Sequence, residues 1–290
     1  MNPPGRRAMR RSLPAALPAG TVLRKVSLHG VTREYLLTVP PALSTPAVAV
    51  LNLHGASSNM AQQAAYSQVP ARAAQRGWVS VTPQGLGRIP RWNIPPMPGP
   101  DDVGFLGSIL RRVERELEIE QWFGTGISNG AAMVTRLTSE WPGALRAVAP
   151  VAGINAAYQH PPSQPTPLIA FHGTDDRVVP YAGGRLFGGR TGPVRERWEA
   201  RRGTVLELEG VESLVARFAV ASGARPNPTI TPIGTDVVRT VYTGAVVRTE
   251  LYTIRGGGHT WPGAIDIRIL GPTTHTIDAT ALMLDFFAGV

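Results

Sequence analysis

The stretch GTGISNGAAM, Gly124–Met133, constrains this chain more than any other. It contains Gly126-Ile127-Ser128-Asn129-Gly130, a G-x-S-x-G pentapeptide. An apolar, strand-like segment precedes it (Trp122, Phe123, Ile127). A helix-like run follows, with Ala132, Met133, Leu137 and Trp141 apolar. A strand that turns directly into a helix forces the residue between them into a strained conformation, and small residues two positions to either side keep the backbones from colliding. The serine hydroxyl then projects from the carboxyl end of a sheet, beside a helix N-terminus where developing negative charge is favoured. Among 32 glycines such a pentapeptide can also arise by coincidence, so the rest of the chain must supply its partners.

The remaining segments predict the scaffold such a turn needs. Thr21–Leu28 and Val31–Val39 alternate apolar and polar residues around Gly30, the pattern of an antiparallel hairpin. Val48–Leu53 and Trp78–Thr82 are continuous apolar runs, as in strands buried on both faces, with a helical stretch to about Arg76 between them. Pro83–Pro100 is a Pro- and Gly-rich loop long enough to border a site. Asp101 or Asp102 can cap a helix running to about Ile119, with Phe105, Ile109, Val113 and Leu117 four residues apart. Gln121–Ile127, Leu145–Val151, Pro167–Phe171, Asp236–Tyr242 and Val246–Ile254 read as further strands, and Val211–Ser222 and Ile277–Phe287 as helices. Ala182–Gly203, rich in glycine and arginine, reads as a mobile loop. This alternation predicts an α/β fold with a mostly parallel central sheet, helices on both faces and an N-terminal antiparallel hairpin. Residues 21–290 are expected to form a single catalytic domain behind a disordered basic arm at 1–20.

Composition narrows the function classes. The formal charge of +9 would suit a nucleic-acid partner, but four of the arginines (Arg6, Arg7, Arg10, Arg11) sit in the N-terminal arm and Lys25 is the only lysine. No helix-turn-helix, aromatic–basic stripe or zinc pattern accompanies the charge, so no nucleic-acid partner is expected. There is no apolar run of 18 residues or more, hence no expected membrane span. The chain has no cysteine, which excludes disulfides, thiolate metal sites and a cysteine nucleophile. Its basic N-terminus is followed by an apolar stretch, Ser12–Gly20, that is short and broken by Pro14 and Pro18, an unconvincing export signal. Compartment and oligomeric state stay open.

A serine hydroxyl is a weak nucleophile and needs a base in hydrogen-bond reach and a third group to orient that base. Of the six histidines, His29 and His160 have no reactive neighbours in sequence, and His275 begins the last helix. His54 and His172 each follow a buried strand and precede glycine, as residues that fix their loops would. His259, in GGGHTWPG (256–263) between the last strand and the final helix, stands where the α/β-hydrolase order Ser…acid…His places the base. The acid is expected in HGTDDRVVPY (172–181), where spacing leaves Asp175 and Asp176 both open. The oxyanion hole of this architecture pairs the N–H after the nucleophile, here that of Asn129, with one from the loop after Leu53, either Ala56 or Ser57. Ala56 is taken as the donor, which leaves Ser57 facing the substrate. No metal or cofactor is required.

These residues resemble the poly(3-hydroxybutyrate) depolymerase-like esterases, close to the feruloyl and acetylxylan esterases of carbohydrate esterase family one. The matching pieces are LNLHG (51–55), RWN (91–93), DDVGFL (101–106), GTGISNGAAM and RAVAPVAG (146–153). HGTDDRVVPY, LYTIRGGGHTWPG (251–263) and DFFAG (285–289) complete the series, in the family's order, over roughly residues 22–290. The resemblance implies Ser128 as nucleophile, His259 as base and, through its H-G-T-x-D-x-x-V-P-Y pattern, Asp176 as the acid. It further implies that Trp92 and Trp261 flank the substrate cleft. The implied substrates are small-molecule or oligomeric esters: hydroxybutyrate oligomers, or feruloyl and acetyl esters of plant polysaccharide. It favours an extracellular protein. Two departures stand out. Secreted relatives carry cysteines near the positions of Ala224 and Ala245, and Gln84 replaces a usual Asp. Acyl transfer to an alcohol, or a catalytically silent hydrolase-fold binding protein, are the alternative readings.

Overall fold

The computed structural model describes residues 17–95, 99–156, 162, 164–189, 207–244 and 247–290. Its strands are β1 (Thr21–Leu28), β2 (Val31–Thr38), β3 (Val48–Leu53), β4 (Val79–Pro83), β5 (Gln121–Ile127), β6 (Ala147–Val151), β7 (Leu168–Gly173), β8 (Gly184–Arg185), β9 (Glu207–Leu208), β10 (Thr229–Ile233), β11 (Val237–Thr243) and β12 (Arg248–Ile254). The helices are α1 (Met60–Ser67), α2 (Val69–Gln75), α3 (Asp102–Leu117), α4 (Asn129–Glu140), α5 (Val211–Ala221) and α6 (Ala279–Ala288).

Ten strands form one sheet in the order β1-β2-β4-β3-β5-β6-β7-β12-β11-β10, and β8 pairs only with β9. The central six, from β4 to β12, are parallel; the β1–β2 hairpin and the β11–β10 pair close the two ends antiparallel. Every residue of β3, β4, β6 and β7 is buried, which accounts for their unbroken apolar runs. The two-residue period of a strand divides those side chains between two cores. Ala49, Leu51 and Leu53 of β3 pack with Phe105, Ile109 and Val113 of α3 and with Met133 and Leu137 of α4. Val48 and Val50 of the same strand pack on the other side with Tyr66, Ala73, Met283 and Phe287. Phe287 stacks on Phe123 of β5 with ring centroids 4.6 Å apart. Such a pair adds about 1 kcal/mol beyond its buried area, so the last helix is fixed directly over the strand that feeds Ser128.

The expected elements form, with two differences. The helical stretch after β3 is two helices, because Gln68 adopts a left-handed backbone (φ 55°) and Pro70 starts a new turn. Strand β10 carries no burial period: it lies exposed on the sheet edge, with Pro232 facing away from further pairing. Much of the Ala182–Gly203 loop, the arm up to residue 16, Ala245 and His160 lie outside the described residues, and Ala224 bridges to Gly244.

Parallel strands bring all their carboxyl ends to one edge of the sheet. Ile127 is in register with Val151, Val151 with Phe171, and Gly173 with Ile254. The loops that follow, carrying Ser128, Gly153, Asp176 and His259, therefore share one rim, where ligands of open α/β sheets bind.

Candidate active site

Ser128 sits at the junction of β5 and α4 with φ 59° and ψ −123°. A side-chain-bearing residue in such backbone costs of order 1–3 kcal/mol and persists only when its surroundings over-determine it. They do so here. The Ser128 N–H donates to Val151 O at 2.9 Å, and its carbonyl accepts from Ala132 N–H at 3.1 Å. A Cβ on Gly126 would lie 2.7 Å from the Gly130 carbonyl group, and one on Gly153 would collide with the Ser128 backbone itself. The small residues of the pentapeptide are thus a packing requirement of the strand-to-helix turn.

The N–H of Asn129 is the first of α4, and the first N–H groups of a helix have no intrahelical acceptor. On the facing loop, Ser57 N–H donates to Pro90 O at 2.8 Å and Ser58 N–H to Gly55 O at 3.2 Å. Ala56 N–H has no acceptor among the described residues. Of the two N–H groups that spacing left open, that of Ser57 is therefore occupied and that of Ala56 is not, among the described residues. Ser57 is exposed and left-handed (φ 65°).

On the far side of the rim, Asp176 and His259 meet. His259 Nδ1 lies 2.7 Å from Asp176 Oδ2, while Asp176 Oδ1 accepts the N–H groups of Val178 and Val179 at 2.8 and 2.9 Å. Burial would raise the Asp176 carboxyl. The charge of His259 and hydrogen bonds from His172 and His259 outweigh it and hold the carboxyl well below the usual carboxylate range. A carboxylate there fixes Nδ1 as the protonated nitrogen and leaves Nε2 as the basic one. Asp175 is exposed, and among the described residues its side chain bonds only to Thr174. The two loops are laced together by Asp175 N–H to Gly257 O at 2.9 Å and Gly256 N–H to Thr174 Oγ1 at 2.8 Å. Gly173 lies so close to Gly257 that no Cβ fits between them. His259 is further held by its own N–H to Leu270 O at 2.7 Å; none of its hydrogen bonds reaches Ser128 Oγ.

Trp92 and Trp261 are corrected from cleft-lining residues to buried supports, each 1% exposed. Trp261 donates its N–H to Tyr66 Oη at 3.1 Å and its indole N–H to Thr280 Oγ1 at 2.9 Å, tying the His259 loop to α1 and α6. Trp92 Nε1–H donates to His54 O at 2.8 Å, and its backbone pairs with the Asn129 side chain. An aromatic residue beside a motif reads the same in sequence whether its face is open or covered.

Two further buried groups support this rim, the first being His54, whose place in the sequence predicts a loop-fixing role. His54 accepts Gly85 N–H at Nε2 (2.8 Å), so its Nδ1–H donates to Gly55 O (2.8 Å), and burial lowers its pKa to about 4. Arg33 pairs with the fully buried Asp102, whose other oxygen accepts Asn93 N–H at 2.6 Å, and the guanidinium lies 3.5 Å from the Phe105 ring centre. Gln84, at the departure from the family pattern, accepts Met60 N–H at 3.1 Å at the start of α1. No three His, Asp or Glu side chains gather into a metal-binding group among the described residues, and no described helix is long and apolar enough to cross a membrane.

No family model matches the chain. In solved structures, acetyl xylan esterase from Aspergillus awamori superposes with a TM-score of 0.57 at 13% identity, over 82% of this chain and 94% of that one. Esterase 2 of Thermogutta terrifontis, phosphoramylated by tabun, gives 0.55 at 14% identity over 93% and 95%. The fold is that of the α/β-hydrolases. Within this α/β-hydrolase frame, sequence relatives carry esterase names. NocK of Nocardia uniformis subsp. tsuyamanensis, assigned as an esterase, is 27% identical over 93% of this chain and 83% of its own length. The bifunctional acetylxylan esterase/xylanase XynS20E of Neocallimastix patriciarum is 25% identical over 53% of this chain, which spans only 23% of that larger protein.

Proposed function

We propose that this chain is a serine esterase that hydrolyses carboxylic esters through Ser128, His259 and Asp176. The observation that carries the reading is the 2.7 Å contact of Asp176 with His259 Nδ1 on the same sheet rim as the strained Ser128 turn. In this mechanism His259 Nε2 takes the proton of Ser128 Oγ as the oxygen attacks the ester carbonyl. The tetrahedral oxyanion accepts the N–H groups of Asn129 and Ala56, each such donor being worth roughly 3 kcal/mol in the transition state. His259 then protonates the departing alcohol, an acyl group remains on Ser128, and His259 activates water to release the acid. Asp176 stays ionised throughout and stabilises the imidazolium. Ser57, exposed beside Ala56, is the proposed polar contact for the substrate.

For the substrate class, the name of one relative, the acetylxylan esterase/xylanase, favours short acyl esters, with acetyl groups on xylan foremost. Feruloyl esters and 3-hydroxybutyrate oligomers come next, from the sequence resemblance. A panel of aryl acetates, acetylated xylan, feruloyl esters and hydroxybutyrate oligomers ranks them by kcat/KM. An esterase of this fold is known in a form phosphoramylated by tabun, so an organophosphorus probe is the direct test of the nucleophile. A fluorophosphonate should label Ser128 stoichiometrically, as located by peptide mass mapping. Absence of labelling in the folded protein would instead favour a silent hydrolase-fold binding protein.

A further inference from the structure

The two proposed oxyanion donors lie on different loops, Ala56 after β3 and Asn129 at the start of α4, and their separation must be fixed to within a fraction of an ångström to act together. One residue spans both loops. The Trp92 main chain is gripped at two points by the Asn129 side chain: Trp92 N–H donates to Asn129 Oδ1 at 2.7 Å, and Asn129 Nδ2–H donates to Trp92 O at 3.1 Å. At its other end the indole Nε1–H donates to His54 O at 2.8 Å, two residues before Ala56.

We propose that Trp92 is a positioning residue of this site, a strut that sets the distance between the Asn129 and Ala56 N–H groups. The inference rests on the reading of Ser128 as nucleophile and assigns a role to a residue that touches neither substrate nor oxyanion.

The strut is itself braced. His54, whose ring lies beside that of Trp92 at a tilt of 41° with centroids 5.1 Å apart, holds Gly55 O with one nitrogen and Gly85 N–H with the other. The next residue, Asn93, donates its N–H to the buried Asp102 carboxylate, which Arg33 neutralises. A tryptophan serving the core alone needs only one acceptor for its indole N–H. Here the acceptor belongs to one donor loop and both main-chain polar groups belong to the other. This also gives a physical reason for Asn at the fourth position of the pentapeptide: its amide supplies the acceptor and the donor that a peptide unit such as Trp92 requires.

Trp92→Phe tests the strut, because it keeps an aromatic ring in the core, a smaller one, and removes the hydrogen bond to His54 O, while melting temperature reports the lost packing separately. With p-nitrophenyl acetate, kcat should fall 10- to 100-fold, roughly the loss expected from displacing one donor, with KM within about twofold. Binding of a trifluoromethyl ketone, which forms a tetrahedral oxyanion on the serine, should weaken by a similar factor. Asn129→Ala cuts the other end at a half-buried side chain while keeping its main-chain N–H, and should show the same split if Trp92→Phe does not fold. A role in packing alone would lower the melting temperature and leave both kcat per folded molecule and ketone affinity unchanged, and that result overturns the proposal. Fluorophosphonate labelling keeps the two claims apart. If the unsubstituted protein is labelled at Ser128 and the variants retain full kcat, only the strut fails. If the unsubstituted protein is not labelled, the esterase reading fails and the strut with it.

Discussion

Asp176 holds His259 from a position that is itself held: one carboxylate oxygen receives His259 Nδ1 at 2.7 Å while the other accepts two main-chain N–H groups, those of Val178 and Val179. A carboxylate bound on both oxygens cannot rotate away, so the imidazole is fixed in one tautomer. Asp176→Asn should retain the fold and lose roughly 10³- to 10⁴-fold in kcat, because an amide in that place no longer demands the Nδ1–H form. Asp175→Asn, at an exposed side chain, should stay within about threefold of the unsubstituted enzyme. Steady-state kinetics on both variants compares them directly, and equal losses would mean that the acid is wrongly assigned.

The buried His54 makes stability depend on pH. Its folded pKa, about 4, lies below the ordinary histidine value of about 6.5. Between those values the unfolded chain binds the extra proton and the folded chain does not. The contribution of neutral His54 is therefore complete above pH 6.5 and is lost as pH falls through 4, by at most on the order of 3 kcal/mol. Thermal unfolding from pH 7 to pH 4 should show a falling melting temperature, and His54→Gln should flatten that slope even though it lowers stability at neutral pH. Parallel slopes would contradict the assignment of His54 as the proton-linked group.

The parallel sheet was legible because β3 and β4 are buried on both faces and announce themselves as apolar runs, the hairpin because its residues alternate, and the strand feeding Ser128 because Trp122, Phe123 and Ile127 lead into the pentapeptide. Strand β10 was not, because an exposed edge strand containing Pro232 has no burial pattern to read. Ser128, Asp176 and His259 could be picked out by type and chain order. The covered state of Trp92 and Trp261 could not, since it depends on acceptors that folding brings in from His54 and Thr280. Which of Ala56 and Ser57 keeps a free N–H was likewise invisible, being decided by a hydrogen bond to Pro90, 33 positions further along the chain than Ser57.

Gly126 has no room for a side chain. An added Cβ would lie 2.7 Å from the Gly130 carbonyl group and 2.8 Å from Leu53 O, both main-chain atoms that cannot swing aside. Gly126→Ala should destabilise by about 1–3 kcal/mol or more and shift the elbow, so that activity falls further than the loss of folded protein explains. Chemical denaturation combined with active-site titration separates the two effects. A variant with unchanged midpoint and unchanged activity would show that the turn is looser than described.

The Arg33–Asp102 pair lies beneath the loop that carries Trp92. Burial pushes the Asp102 carboxyl up and the Arg33 guanidinium down, each against the attraction of the other, so the two are affordable only together. Removing one partner by Arg33→Met or Asp102→Leu should cost roughly 3–5 kcal/mol, and the double replacement less than the sum. A double-mutant cycle in urea reads this coupling, and additive losses would deny it.

Whether Ser128 is the nucleophile of an ester hydrolase is read from p-nitrophenyl acetate hydrolysis by the purified chain and by Ser128→Ala, with circular dichroism showing both folded. Hydrolysis by the first should be saturable and the rate in the second reduced at least roughly 10³-fold, as loss of a nucleophile requires. Hydrolysis by the folded Ser128→Ala protein at an undiminished rate would contradict that role.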